Sequence, residues 1–344
     1  MTGNHTRYVS VGKEDPTAYA TAVPAEAVGE VENEGFQQSY DILKREDMNY
    51  YGSAKAITSK LYSEGSISMA LQPDDFTLML LHGIMGEDNP DSTTPETEDR
   101  TFTELLVSSS AELPSYTFRV GRDDKEHIFP GQVIESISVS SSIGEYAMMS
   151  VSTTGAKQSS STATLATAVP SYTGDAAHFA KTMVRFEAIA GDTDHSNLVQ
   201  SIDFEIKTNR DIDNSYNLAN DTCIRPPPTT MREVSGSLTF HKALLAADVE
   251  SNEVFFDELM PATGNLINPG SSTPALSCLF YVDANNFIRF DFFKLIYEMP
   301  ETSVSGRDSQ TMTVNFHALY DLGEADQMVK ITAKSSDGQA NYDA

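Results

Sequence analysis

A chain of 344 residues with 40% hydrophobic side chains can bury a large core and has room for two domains. Its 50 Asp and Glu against 23 Lys and Arg give a formal net charge of −27, which excludes a nucleic-acid grip built from clustered cations. Cys223 and Cys278 are too few for a disulfide framework and read as buried free thiols, and no apolar run reaches the ~20 residues that cross a bilayer.

Met1 to Arg7 lacks the apolar core of a signal peptide, so the product is expected to begin in the cytoplasm. Residues 1–35 are rich in Ala, Val and Glu with little periodicity. They read as extended and solvated, with an acidic N-terminal arm over 1–27. Phe36 to Leu43 has strand character. Arg45 to Lys60 reads as a long loop in which Tyr50 and Tyr51 offer anchoring aromatic surface. In Gly65-Ser-Ile-Ser-Met-Ala-Leu, the apolar Ile67, Met69 and Leu71 alternate with small residues, which predicts a strand with one buried face. Pro73-Asp-Asp then opens an apolar segment from Phe76 to Met85, closed by Gly86. Acidic residues at the start and glycine at the end predict a short helix. Glu87 to Thr101, with Pro90 and Pro95, reads as a surface loop.

Strand signals return at Tyr116, Phe118 and Val120, followed by a turn at Asp123-Asp124 and a serine-rich strand from Val133. There Ile137 and Val139 alternate with Ser136, Ser138 and Ser140, which places small neutral hydroxyls on an open face. Ala156 to Gly174 is nearly all Ser, Thr and Ala, a composition that cannot pack a core and marks a linker. Val184 to Ile189 is strand-like, and Ile202, Phe204 and Ile206 alternate with charged residues. Thr208 to Arg232 is a second long polar loop, carrying Tyr216 and stiffened by Pro226, Pro227 and Pro228. Val234 to Phe240 alternates again. Val254 to Met260 predicts a second short helix capped by Ser251 or Asn252. Leu279 to Val282 and Phe287 to Phe293 then flank a turn at Asp283-Ala-Asn-Asn286.

The elements recur in one order: long loop, alternating strand, short helix, strand pair, glycine and final strand. Gly65 and Gly236 head the two alternating strands 171 residues apart, while Val120 and Val282, like Gly144 and Gly306, are 162 apart. One change in loop length accounts for the difference. The expected architecture is mainly β, with two tandem β modules at 28–155 and 175–338. A linker at 156–174 joins them, and a tail follows at 339–344.

No motif for catalysis, cofactor or metal is found: there is no phosphate-binding loop, no His-Glu-x-x-His and no Gly-x-Ser-x-Gly. The seven histidines are scattered, and His82 inside the first helix reads as structural. Gly191-Asp-Thr-Asp-His-Ser lacks the distant glutamate of a calcium loop and reads as a turn. Asn4-His-Thr and Asn220-Asp-Thr match the glycosylation triplet, a pattern common by chance.

Leu113-Pro-Ser-Tyr to Arg-Val-Gly-Arg-Asp123, Gly65-Ser-Ile-Ser through Asp75, Arg232-Glu-Val-Ser-Gly-Ser-Leu-Thr and Val314-Asn-Phe-His-Ala-Leu-Tyr-Asp, in this order of elements, resemble the tail tube proteins of long-tailed phages and archaeal tailed viruses. The resemblance implies β-sandwich modules with a flanking helix, whose inner sheets close an intersubunit β-barrel in stacked rings around a channel for genome ejection. It implies a virion protein assembled in the host cytoplasm, not an enzyme, with tape measure protein and tail tip or terminator proteins as partners. DNA would pass without specific binding. Six modules per ring would need three chains of two modules each, a trimer with pseudo-sixfold symmetry. Ser136, Ser138 and Ser140 would face the channel, and Tyr50, Tyr51 and Tyr216 would reach the adjacent ring. The acidity fits either a halophilic source or a channel that repels DNA. A β-sandwich adhesin or cell-surface structural protein is the alternative reading.

Overall fold

The computed structural model describes residues 7–46, 48–49, 51–53, 55–90, 99–105, 112–159, 165, 175–186, 196, 199–241, 275–298, 301–302, 311–321 and 327–336. Period-two sequence becomes strand nearly throughout. In chain order the first half supplies β1 (Arg7–Lys13), β2 (Ala27–Gly29), β3 (Asn33–Glu34), β4 (Gln37–Arg45) and β5 (Lys55–Ala70). The helix α1 (Asp75–Met85) follows, then β6 (Gly86–Pro90), β7 (Arg100–Glu104), β8 (Tyr116–Arg122), β9 (Lys125–Ser142) and β10 (Met148–Gly155). The second half supplies β11 (Thr182–Phe186), β12 (Val199–Lys207), β13 (Glu233–His241), β14 (Leu276–Asp283) and β15 (Asn286–Phe292). It ends with β16 (Leu295–Tyr297), β17 (Glu301–Thr302), β18 (Thr311–Ala318) and β19 (Val329–Lys334).

Two sheets result. The large one runs β16-β18-β13-β12-β9-β10-β5-β3, with β4 also on β5 and β17 also on β18. The first half of β9 turns away to pair with β8, which carries β1 and then β2. The second sheet runs β11-β14-β15-β19-β7-β6. Among the described residues every strand pair is antiparallel, and several neighbours, β5 with β10 and β9 with β12 among them, are joined only through long intervening stretches of chain. Among the described residues the large sheet is open within one chain and forms no closed barrel.

The apolar faces meet in one core. Phe204 of β12 sits with its ring centroid 4.8 Å from Phe290, 5.2 Å from Phe292 and 6.4 Å from Phe280 of the second sheet. Phe36 stacks 4.9 Å from Phe118 and 5.3 Å from Phe129 under the other end. The helix is where the sequence signals placed it. Asp74 caps it by accepting the Thr77 N–H at 2.7 Å, and Gly86 ends it in the left-handed region at φ 100°. Its residues from Phe76 to Met85 are buried all round, and His82 is held by a 2.9 Å hydrogen bond between Nδ1 and the Tyr116 hydroxyl. Both cysteines are free and buried.

Several expectations need correction. Residues 7–13 are not part of a solvated arm: β1 is buried along five successive residues and pairs with both β2 and β8. A strand covered on both faces loses its alternation, which is why Tyr8-Val-Ser-Val gave no periodic signal. Glu14, just beyond it, is buried with purpose. Its carboxylate accepts from Ser115 Oγ (2.9 Å), Thr117 Oγ1 (2.6 Å), the Gly131 N–H (2.7 Å) and the Ala20 N–H (3.0 Å). The supposed loop from Arg45 to Lys60 is mostly hairpin, because β4 and β5 pair from Gln37↔Glu64 out to Arg45↔Lys55. The supposed loop from Glu87 to Thr101 contains β6 and the start of β7, with Asp88 and Arg100 buried 3.5 Å apart. The linker begins as ordered chain, Ala156 being buried and the Ser159 N–H bonded to Ile128 O at 2.9 Å. The rest of it apart from residue 165, the Val254–Met260 helix, the Gly191–His195 turn and Gly306 lie outside the described residues.

Candidate functional site

Because the second sheet and α1 cover one face of the large sheet, alternation sends every second residue of six strands to the other face. Those residues stand in register. One row reads Ser68, Ser150, Ser138, Glu205, Ser235 and His317 across β5, β10, β9, β12, β13 and β18. The next reads Ser66, Ser152, Ser136, Lys207 and Glu233. On the other side come Ala70, Met148, Ser140, Asp203, Ser237 and Asn315. The three serines predicted to share an open face thus share it, at the middle of a much wider polar surface. The opposite-facing row of Ile67, Val151, Ile137, Ile206 and Val234 is buried.

The surface is small, hydroxylated and negative. Lys207 is the one Lys or Arg in these rows, and Glu205 holds it at 2.8 Å, which raises the ammonium pKa. Partial burial, and then the charge of Glu205, raise the Asp203 carboxyl above its usual range. Glu135, the extra residue of a bulge in β9, is raised first by burial and then by Glu64. Carboxylates crowded enough to raise one another repel a polyanion, and serine hydroxyls offer it only weak, direction-tolerant contacts. A surface of this kind offers a polyanion no cluster of cations to grip. Among the described residues no group of three or more His, Cys, Asp and Glu is placed to hold a metal ion.

The predicted tyrosine anchors are not brought together. Tyr50 lies outside the described residues. Tyr51 is fully exposed at the tip of the β4–β5 hairpin. Tyr216 is half-buried and turned onto its own chain: its hydroxyl donates to Leu61 O at 3.2 Å, and Lys60 Nζ lies 5.5 Å from its ring centroid. The loop around it is tied to β5 as well, by the Leu61 N–H to Asp221 O at 2.7 Å and by Lys60 to Asp213 at 2.5 Å. Sequence reasoning missed the apolar side chains of the hairpin itself. Tyr40, Ile42, Leu43 and Ile57 are all more than half exposed, with Leu43 directly opposite Ile57. Their signal was present as an apolar run, but it reads equally as core until the hairpin is seen to leave the sheet.

A family model described as phage tail tube protein matches residues 9–249, from β1 to just beyond β13. No curated protein matches the sequence.

Proposed function

The chain belongs to the phage tail tube protein family, and we propose that it polymerises as stacked rings into a viral tail tube, the channel through which the genome passes into the host. The observation that carries the reading is the polar face: six strands wide, serine-rich and acidic, its residues half-buried or exposed. Joined across subunits, such faces line a channel wall, and closure between chains removes open sheet edges that otherwise invite misassembly. Ser136, Ser138 and Ser140 then face the lumen, and DNA passes without specific binding.

Two tandem modules, 28–155 and 175–338, fit the order of strands in the sheet. The first half contributes β3/β4, β5, β10 and β9, and the second contributes β12, β13, β18 and β16. Both sets run in the same sense across the sheet, and β11 sits on β14 as β1 sits on β8. Six modules around a channel then take three chains, a trimer with pseudo-sixfold symmetry. The exposed hairpin of β4 and β5 with Tyr51 at its tip is the element that reaches the adjacent ring, while Tyr216 braces its base. Tape measure and tail tip or terminator proteins are the partners such a tube requires, and the finished protein resides in the virion after assembly in the host cytoplasm.

Electron microscopy of the purified protein tests the reading. Tubes or rings with threefold symmetry are expected. Six full-length chains per ring would refute the trimer, and a monodisperse monomer at every salt concentration would overturn the tube itself.

A further inference from the structure

The register of the sheet identifies which edges meet between chains, an inference that rests on the ring reading above. Along β9, Ile134 faces Thr153 and Ser138 faces Ser150, so four residues oppose three and Glu135 is the extra one. Along β16 and β17, Tyr297 faces Phe316 and Glu301 faces Thr313, again four against three. Ile134 and Tyr297, Glu135 and Glu298, and Ser138 and Glu301 are each 163 residues apart. The same four-against-three count over the same interval of the repeat, with Glu135 and Glu298 at matching sequence positions, makes β16–β17 the counterpart of β9. On the opposite flank, Phe204 faces Gly236, and the β3–β4 register continues through Phe36 beside Gly65. The segment from β3 to β4 is therefore the counterpart of β12, with Phe36 in the place of Phe204.

Inside the chain β9 and β12 are joined, Phe204 facing Val139 and Glu205 facing Ser138. Their counterparts lie at the two open ends of the same sheet. The backbone of Phe36 carries a second, independent mark of a missing strand. The Gly35 N–H bonds to Ser66 O at 2.8 Å, and alternation along an antiparallel strand then aims the N–H and C=O of Phe36 away from β5. Both are held by side chains: Glu34 Oε2 accepts the N–H at 3.1 Å and Arg122 Nη2 donates to the oxygen at 2.6 Å. Side chains that cap an edge backbone keep it from pairing out of turn.

We propose that the β3–β4 edge of one copy pairs antiparallel with the β17 edge of the next. The register is Phe36 opposite Thr302 and Gln37 opposite Glu301, and the pairing displaces the Glu34–Arg122 cap from Phe36. The junction repeats between chains the β9–β12 junction that each chain already contains, so alternate seams of the ring are built alike. Being heterologous, the contact closes a ring and not a two-fold dimer.

Paired cysteines test it in the full chain. Gln37→Cys with Glu301→Cys should form an interchain disulfide on mild oxidation, roughly tenfold more than the displaced pair Ser39→Cys with Glu301→Cys, because directly opposed positions meet disulfide geometry. Ser138→Cys with Glu205→Cys is the intrachain control for the same seam. Rings visible by microscopy without the Gln37–Glu301 link, while the control closes, would overturn the register and leave the tube reading intact. Absence of rings at any salt concentration overturns both. Hydrogen exchange on the unmodified protein supplies a second readout: the amide of Phe36 should slow by at least about tenfold on assembly, and unchanged exchange in assembled rings counts against the seam.

Discussion

Asp74 shows how one residue serves two demands. Its carboxylate caps α1, yet burial pushes its pKa up to about 6 despite the hydrogen bonds from Thr77, and Asp75 adds to the rise. The folded chain therefore holds a proton that the unfolded chain releases near pH 4, and Asp74's contribution to stability falls as pH rises through that window to about 6. Asn caps as well as Asp without the charge. Asp74→Asn should be more stable than the parent at pH 7, by an amount on the order of 2–3 kcal/mol, and should flatten the fall in Tm between pH 4 and 6; thermal melts across that range check both. Phe204 has a simpler role, filling the space among Phe280, Phe290 and Phe292. Phe204→Ala should cost about 3–5 kcal/mol in denaturant unfolding, the transfer term plus the cavity left behind. Glu14→Ala should cost about 2–3 kcal/mol, since it strips the shared acceptor from three buried donors and a half-buried one.

At the scale of elements, β1 and the β4–β5 hairpin carry the most weight. Deleting residues 1–13 removes β1 and leaves the edge of β8 bare between β9 and solvent. That truncation should yield unfolded or aggregated protein, whereas a solvated arm could be removed with little change in circular dichroism or Tm. The hairpin behaves in the opposite way. Its outer apolar side chains touch little in the single chain, so Ile42→Asp with Ile57→Asp should keep the fold, with Tm within a few degrees. On the ring reading the same pair should abolish stacking, leaving rings in the microscope where the parent gives tubes. Normal tubes from the double variant would exclude the hairpin from the contact between rings. The loop from Thr208 to Arg232 is less suited to reach outward, because Asp213, Tyr216 and Asp221 all bind it back to β5.

For the whole molecule the net charge of −27 governs association. Subunits so charged repel until the Debye length contracts to ~3 Å near 1 M salt. If the carboxylates reflect a saline habitat, assembly followed by light scattering should rise steeply toward molar salt and reverse on dilution. If they serve mainly to repel DNA within the channel, assembly should be nearly independent of salt. On the ring reading, carboxylates on the polar face, Asp203, Glu205 and Glu233 among them, suit the second role, while the excess distributed elsewhere suits the first.

The local physics was legible in the residues alone. Alternation located the end of β5, β8, the second half of β9, β12 and β13, and Asp and Gly at its ends bracketed α1. The small-polar face of β9 was equally readable, since a one-residue slip would have buried its serines and exposed Ile137 and Val139. Tertiary structure alone decided the rest. It buried β1 on both faces, so the alternation that identifies a strand was never written there. It made strands of Gly86–Pro90 and Arg100–Glu104, where pairing and a buried Asp88–Arg100 contact outweigh polar composition. It turned Tyr216 inward and left Ile42 and Ile57 outside. It also brought β9 against β12, residues 57 or more apart in the chain, and so extended three serines into a surface six strands wide. Local sequence determines the face on which a side chain stands, because the strand period is two. Which strand lies next door depends on contacts far along the chain, and no local pattern encodes them.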